Sequence, residues 1–100
     1  MLAEIQVLPD PPGDAERAYR NVDAAIITIA AAGVRHEVGA LGTTIEGPPD
    51  TLWPLLRAAH EACLSAGAGR MVTIIKVVEH AHADGALTID ALTAAHRGAQ

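Results

Sequence analysis

Phenylalanine is absent from this 100-residue chain, and Tyr19 and Trp53 are its only aromatic residues. A core must therefore be built from Ala, Val, Ile and Leu, within a hydrophobic share of 50%. Cysteine occurs once, at Cys63, which excludes an internal disulfide and fits a reducing compartment. Serine also occurs once, at Ser65. No Ser-His-Asp constellation can be assembled from it without forcing the residues, and Cys63 falls on an apolar helical stripe where a structural thiol is expected rather than a nucleophile. Basic residues are few and stand singly, at Arg17, Arg20, Arg35, Arg57, Arg70, Lys76 and Arg97, against 12 acidic ones, for a formal net charge of −5. Phosphate binding needs clustered cations, so this pattern argues against a nucleic-acid partner. The opening residues carry no basic segment, and no apolar run approaches the ~18 residues of a membrane span. The cytoplasm is the expected compartment.

Metal-binding patterns are equally thin. His80-x-His82, and His60 with Glu61, match no zinc spacing, and solvated histidines are the expectation. Gly67-Ala68-Gly69-Arg70 follows a helix instead of preceding one, so these glycines read as a helix end and not as a phosphate cradle.

The periodicities that are present define one domain. Leu2 to Leu8 alternates as a strand and is broken by Pro9-Asp10-Pro11-Pro12-Gly13. From Asp14, a candidate N-cap, or from a turn later, to Ala32 the period becomes helical, with Val22, Ile26, Ile29 and Ala30 as a stripe and Gly33 as the stop. Val34–Gly39 and Thr43–Glu46 read as a hairpin across Gly39-Ala40-Leu41-Gly42. A second helix is expected from Asp50, as N-cap, to about Ala66, with Leu52, Leu56, Ala59 and Cys63 inward and Pro54 in its first turn. Arg70–Glu79 is apolar on both faces, which predicts a central strand covered on both sides. A turn over His80–Gly85 follows, and Thr88–Arg97 is expected as a short helix capped by Thr88.

The order β-α-β-β-α-β predicts an α+β fold of the ferredoxin-like type. Its antiparallel four-stranded sheet has both helices on one face, over residues 1–83, with either a short C-terminal helix or a plain tail over 84–100. The face without helices needs a cover, and a second copy of the sheet is the simplest one. A homodimer or a dimer of dimers joined through sheet faces is the expected partner state.

Several polar residues lie on strands. Glu4 and Gln6 share one face of the first strand, Arg35 and Glu37 of the second, Thr44 and Glu46 of the third. Lys76 stands among apolar neighbours and calls for a carboxylate, with Glu4 and Glu46 as candidates. This set is either an ion-pair network at a subunit interface or a polar pocket for a small heterocycle.

Specific segments then carry a resemblance. Gly39-Ala40-Leu41-Gly42-Thr43-Thr44-Ile45-Glu46-Gly47 resembles the "MGTxIEG" segment of the YkoF-like thiamine-binding protein family. Ala59-His60-Glu61-Ala62, Gly67-Ala68 and Arg70-Met71-Val72-Thr73-Ile74-Ile75-Lys76-Val77 are similar to its "AHEA…GAxRVVTxIKI", and Ala3-Glu4-Ile5-Gln6-Val7-Leu8-Pro9 to its "AEIxVxP". The resemblance spans about residues 2 to 79. It implies a ferredoxin-like fold, dimers paired into tetramers through their sheets, and binding of thiamine or its hydroxymethyl-pyrimidine part without catalysis. An aminopyrimidine edge suits a carboxylate beside a hydroxyl, so Glu46 with Thr44 or Thr43 would read it. The candidate ligand-binding set is His36, Glu37, Thr43, Thr44, Glu46 and Lys76, with no catalytic residue, metal or cofactor. Two other readings stand beside it. One is an oligomeric interaction or regulatory subunit without a small ligand. The other is a small enzyme with Glu46 or Glu37 as base.

Overall fold

The first strand, β1, runs Leu2–Asp10 and buries Ala3 and Ile5 beneath the helices, while Glu4 and Gln6 face the other way. It is followed by α1 (Arg20–Ala31), β2 (Arg35–Val38), β3 (Thr43–Glu46), α2 (Pro49–Ala66), β4 (Arg70–Val78) and α3 (Ile89–Thr93), the last running into a 3-10 turn, Ala94–His96. This computed structural model describes residues 1–82 and 87–96. The strands form one antiparallel sheet in the order β2-β3-β1-β4. One face of the sheet carries α1 and α2, and Ala3, Ile5, Ala25, Ile29, Ile45, Leu52, Leu55, Leu56, Ala59 and Cys63 fill the layer between. This is the ferredoxin-like α+β arrangement.

Several expectations are corrected by packing. Strand β4 is an edge strand, not a central one, because β1 and β3 hold the two inner places. Nor is it covered on both sides within the single chain, where Val72, Ile74 and Val78 of its outer face are half exposed. Strand β1 continues through Pro9 to Asp10, paired there with Met71 and Arg70. Main-chain groups along a strand alternate in direction. Met1 C=O accepts from Gly47 N–H on the β3 side (3.1 Å), and Asp10 C=O accepts from Gly69 N–H on the β4 side (3.0 Å). The odd-numbered residues thus address β3, and β1 pairs with β3 only as far as Ile5↔Thr43. The absent N–H of Pro9 falls where no partner strand reaches, so the proline is tolerated.

Helix α1 begins at Arg20, one and a half turns later than Asp14 suggests. The Asp14 carboxylate instead accepts from Glu16 and Arg17 N–H (3.0 and 2.8 Å) and closes a separate turn. The inward residues are Asn21, Ala25 and Ile29, and Ala30 is exposed. Asn21 is buried because its side chain donates to Pro11 O (2.9 Å) and its N–H to Pro12 O (2.9 Å), which ties the proline-rich loop to the helix. In α2 the cap position is Pro48, so Asp50 lies inside the first turn, where its charge suits the helix dipole. Pro54 is interior to that helix rather than in its first turn. Leu52, Leu56, Ala59 and Cys63 are all inward, as their spacing predicts, joined by Leu55.

The C-terminal segment docks on the outer sheet face. Thr88 Oγ1 accepts from Ala91 N–H (2.9 Å), the expected cap. Glu46 Oε1 accepts from Ile89 N–H (2.9 Å), Arg35 pairs with Asp90 (3.0 Å), and Ile89 is buried. Residues 83–85 of the expected turn, and Arg97, lie outside the described residues.

Candidate functional site

The strand register fixes which candidates meet. On the outer face Glu37, Thr44, Glu4 and Lys76 form one rank across all four strands. Arg35, Glu46, Leu2 and Val78 form the next. Lys76 Nζ lies 3.6 Å from Glu4 Oε1, so of its two candidate carboxylates it pairs with Glu4. The Lys76 side chain is 78% exposed in the single chain, so this pair is a surface ion pair worth ~0–1 kcal/mol. Glu46 is engaged by α3 as described.

The other two candidates lie on the opposite face. His36 shares a rank with the inward Ile45 and Ala3, and its Nδ1 is 3.0 Å from Val34 O. Thr43 is inward-facing and buried. The six residues therefore do not converge. Alternation along β2 and β3 separates neighbours such as His36 and Glu37, or Thr43 and Thr44, by the thickness of the sheet.

Thr43 instead borders a cleft of about 480 Å³ between α1, the free edge of β1 and the turn at residues 39–42. The cleft exists because β1 outruns β3. Past Ile5 the β3 side of β1 has no neighbouring strand, and α1 roofs the gap. Its walls are mostly apolar, with Val7 and Pro9 from β1, Val22 and Ile26 from α1 and Leu41 from the turn. Among its lining residues Tyr19 and Thr43 carry hydroxyls. The turn approaches β1 closely at Gly42, where a Cβ would stand 3.1 Å from Ile5 O and 3.2 Å from Glu4 Cγ. A side chain there would push the turn away and reshape the cleft. The turn itself is held by Gly39 N–H donating to Gly42 O (2.8 Å).

Tyr19, Val7, Gln6 and Leu41 were not candidates on sequence grounds. The one available signal was a difference in length, a strand of at least seven residues opposite one of four. A second cleft of about 400 Å³ lies at the other end of the sheet, between Met1, Glu46, Pro48, Glu79 and the His80–His82 segment. His60 packs within the fold, with Nδ1 2.6 Å from Thr73 Oγ1. Among the described residues no group of three or more His, Cys, Asp or Glu side chains is placed to hold a metal ion. No helix among them is long and apolar enough to cross a membrane.

The strand order, with two helices on one face and a cleft where the β3 side of β1 is left unpaired, defines a small two-layer ferredoxin-like domain whose outer sheet face is only partly covered by α3. The sequence matches the family described as "Thiamine-binding protein" over residues 3–96, and the chain belongs to that family. A UPF0045 protein of Clostridium perfringens is 38% identical over 73 residues, covering 73% of this chain and 75% of that protein. Among solved structures, a domain of unknown function (DUF77) from Bacillus cereus superposes with a TM-score of 0.84 at 34% identity, over 98% of this chain and 90% of that one. A thiamine biosynthesis/salvage candidate from Thermotoga maritima gives 0.79 at 25% identity, over 96% and 97%.

Proposed function

We propose that the protein is a non-catalytic binding protein for thiamine or its hydroxymethyl-pyrimidine part, that the ligand occupies the cleft beneath α1, and that the chain works as a homo-oligomer packed through its outer sheet faces. The observation that carries the reading is the cleft itself. Its volume of about 480 Å³ suits a two-ring ligand of this size, and its mainly apolar wall with a few polar groups is the usual chemistry of a small-molecule site. Family membership supplies the ligand class. Tyr19 offers the ring platform that a chain so poor in aromatics otherwise lacks. Neither Glu37 nor Glu46 lines this cleft, so the arrangement gives no support to either as a general base there.

Isothermal titration calorimetry of the purified protein with thiamine is the test. Saturable binding is expected at micromolar affinity, and Thr43→Val, which removes one hydroxyl, should weaken it by about 3- to 10-fold with little change in melting temperature. Absence of heat at millimolar thiamine would overturn the binding role.

A second reading has its own support. Leu8, Val72, Ile74 and Val78 on the outer face are each 45–47% exposed. An interaction subunit that uses only this face would need no ligand, and it becomes the leading reading if calorimetry is silent.

A further inference from the structure

Within that binding role, the geometry points to the means by which the cleft selects its ligand: we infer that the main-chain N–H and C=O of Val7 read the edge of an aminopyrimidine, a ring nitrogen beside an exocyclic amine.

Strand register sets the direction of each main-chain group of β1. Along β1 the odd-numbered residues turn their main-chain groups toward β3, as the Met1–Gly47 hydrogen bond shows, and the even-numbered ones toward β4, as the Asp10–Gly69 bond shows. Pairing with β4 runs from Leu2↔Val78 to Asp10↔Arg70 with no residue skipped, so the alternation is not reset by a bulge. Pairing with β3 stops at Ile5. Val7 is the next odd residue, and its N–H and C=O point past the end of β3 into the cleft that Val7 lines. Among the described residues neither group has a main-chain partner on that side. Pro9, the following odd residue, has no N–H to give. The cleft therefore contains one adjacent main-chain donor and acceptor from the strand edge, at Val7.

A strand edge of this kind pairs with whatever presents the complementary acceptor and donor side by side. A neighbouring strand does so with C=O and N–H. An aromatic ring does so when a ring nitrogen adjoins an amine, the former accepting from Val7 N–H and the latter donating to Val7 C=O. A ring bonded in this way lies roughly in the plane of the sheet. Its helix-side face then meets Val22 and Ile26 of α1, and Tyr19 stands at the rim, 65% exposed and able to close over the remainder. The recognition uses no charged side chain, in agreement with a cleft lined by none.

The test compares thiamine with the analogue whose pyrimidine 4-amino group is replaced by oxo. That replacement turns the amine donor into an acceptor and places a proton on the neighbouring ring nitrogen, so both bonds to Val7 face the wrong way. The analogue should bind at least about tenfold more weakly, because a site built to hydrogen-bond one edge is left with unpaired groups by the other. In ¹H–¹⁵N spectra the Val7 amide should shift on saturation with thiamine. Val7→Pro, which removes the N–H on the side away from β4, should lower thiamine affinity. Equal affinity for the two compounds, or a Val7 amide unmoved at saturation, would overturn the main-chain reading and leave the thiamine-binding role intact. Failure of both compounds to bind would overturn both. If Val7→Pro does not fold, the comparison of the two compounds on the unaltered protein still decides.

Discussion

Cys63 shows how much a single position can be governed by its surroundings. It sits on the inward stripe of α2, buried, with Sγ 3.5 Å from Ala59 O. Burial pushes its thiol pKa up from the ordinary 9.0. The folded protein therefore prefers the protonated thiol. That preference is fully present below the ordinary thiol pKa and is lost as pH rises through the folded value. Stability measured by urea unfolding should accordingly fall above about pH 9, and the fall should be shallower in Cys63→Ala. Alkylation of the native protein should proceed only at the rate of unfolding. Rapid modification of folded protein would show that the thiol is not enclosed. Its burial was legible from spacing alone, because Leu52, Leu56, Ala59 and Cys63 repeat at helical intervals and the helix could bury only that side. The partner of Lys76 was half legible. Alternation reduced the choice to Glu4 or Glu46, and only the register, which pairs Lys76 with Glu4 while α3 occupies Glu46, settled it.

The elements were largely visible as periodicities, and their ends were not. Asp14 and Asp50 both look like caps, since a carboxylate before an apolar run satisfies free N–H groups. Yet Asp14 closes a turn of its own and Asp50 lies inside its helix. The buried Asn21, hydrogen-bonded to Pro11 and Pro12, decides where α1 starts, and that is a tertiary contact. Thr88 does cap α3, a helix too short to persist by itself. Thr88→Ala should remove about 1 kcal/mol of local stability. In hydrogen exchange this should appear as faster exchange at Ala91 and Leu92, with the amides of β1 and α2 unchanged. If the whole protein loosened equally, α3 would have to be counted as part of the core rather than as a docked strap. The cleft also belongs to this scale, since it arises from the mismatch in length between β1 and β3 and from no motif.

For the molecule as a whole, the decisive feature is the sheet face that α1 and α2 leave bare. Segment α3 covers its Arg35–Glu46 end, and Leu8, Val72 and Ile74 remain open to solvent. An exposed apolar strip on a sheet face is a sign of a partner, and a second sheet face is self-complementary to it. Ile74→Glu should therefore convert an oligomer to the mass of a single chain in light scattering, without loss of secondary structure. A wild-type protein that is already monomeric at micromolar concentration would sink the proposal. The amino-acid sequence by itself determined the βαββαβ order, the inward stripe of α2, the cap at Thr88 and the two-sided apolar character of β4, because each follows from local periodicity or from one residue's chemistry. Tertiary structure alone decided that β4 lies at an edge, that His36 and Thr43 part company with Glu37, Thr44, Glu46 and Lys76, and that a cleft opens beside Val7. These depend on strand order and register, which are set by pairing between segments distant in the chain.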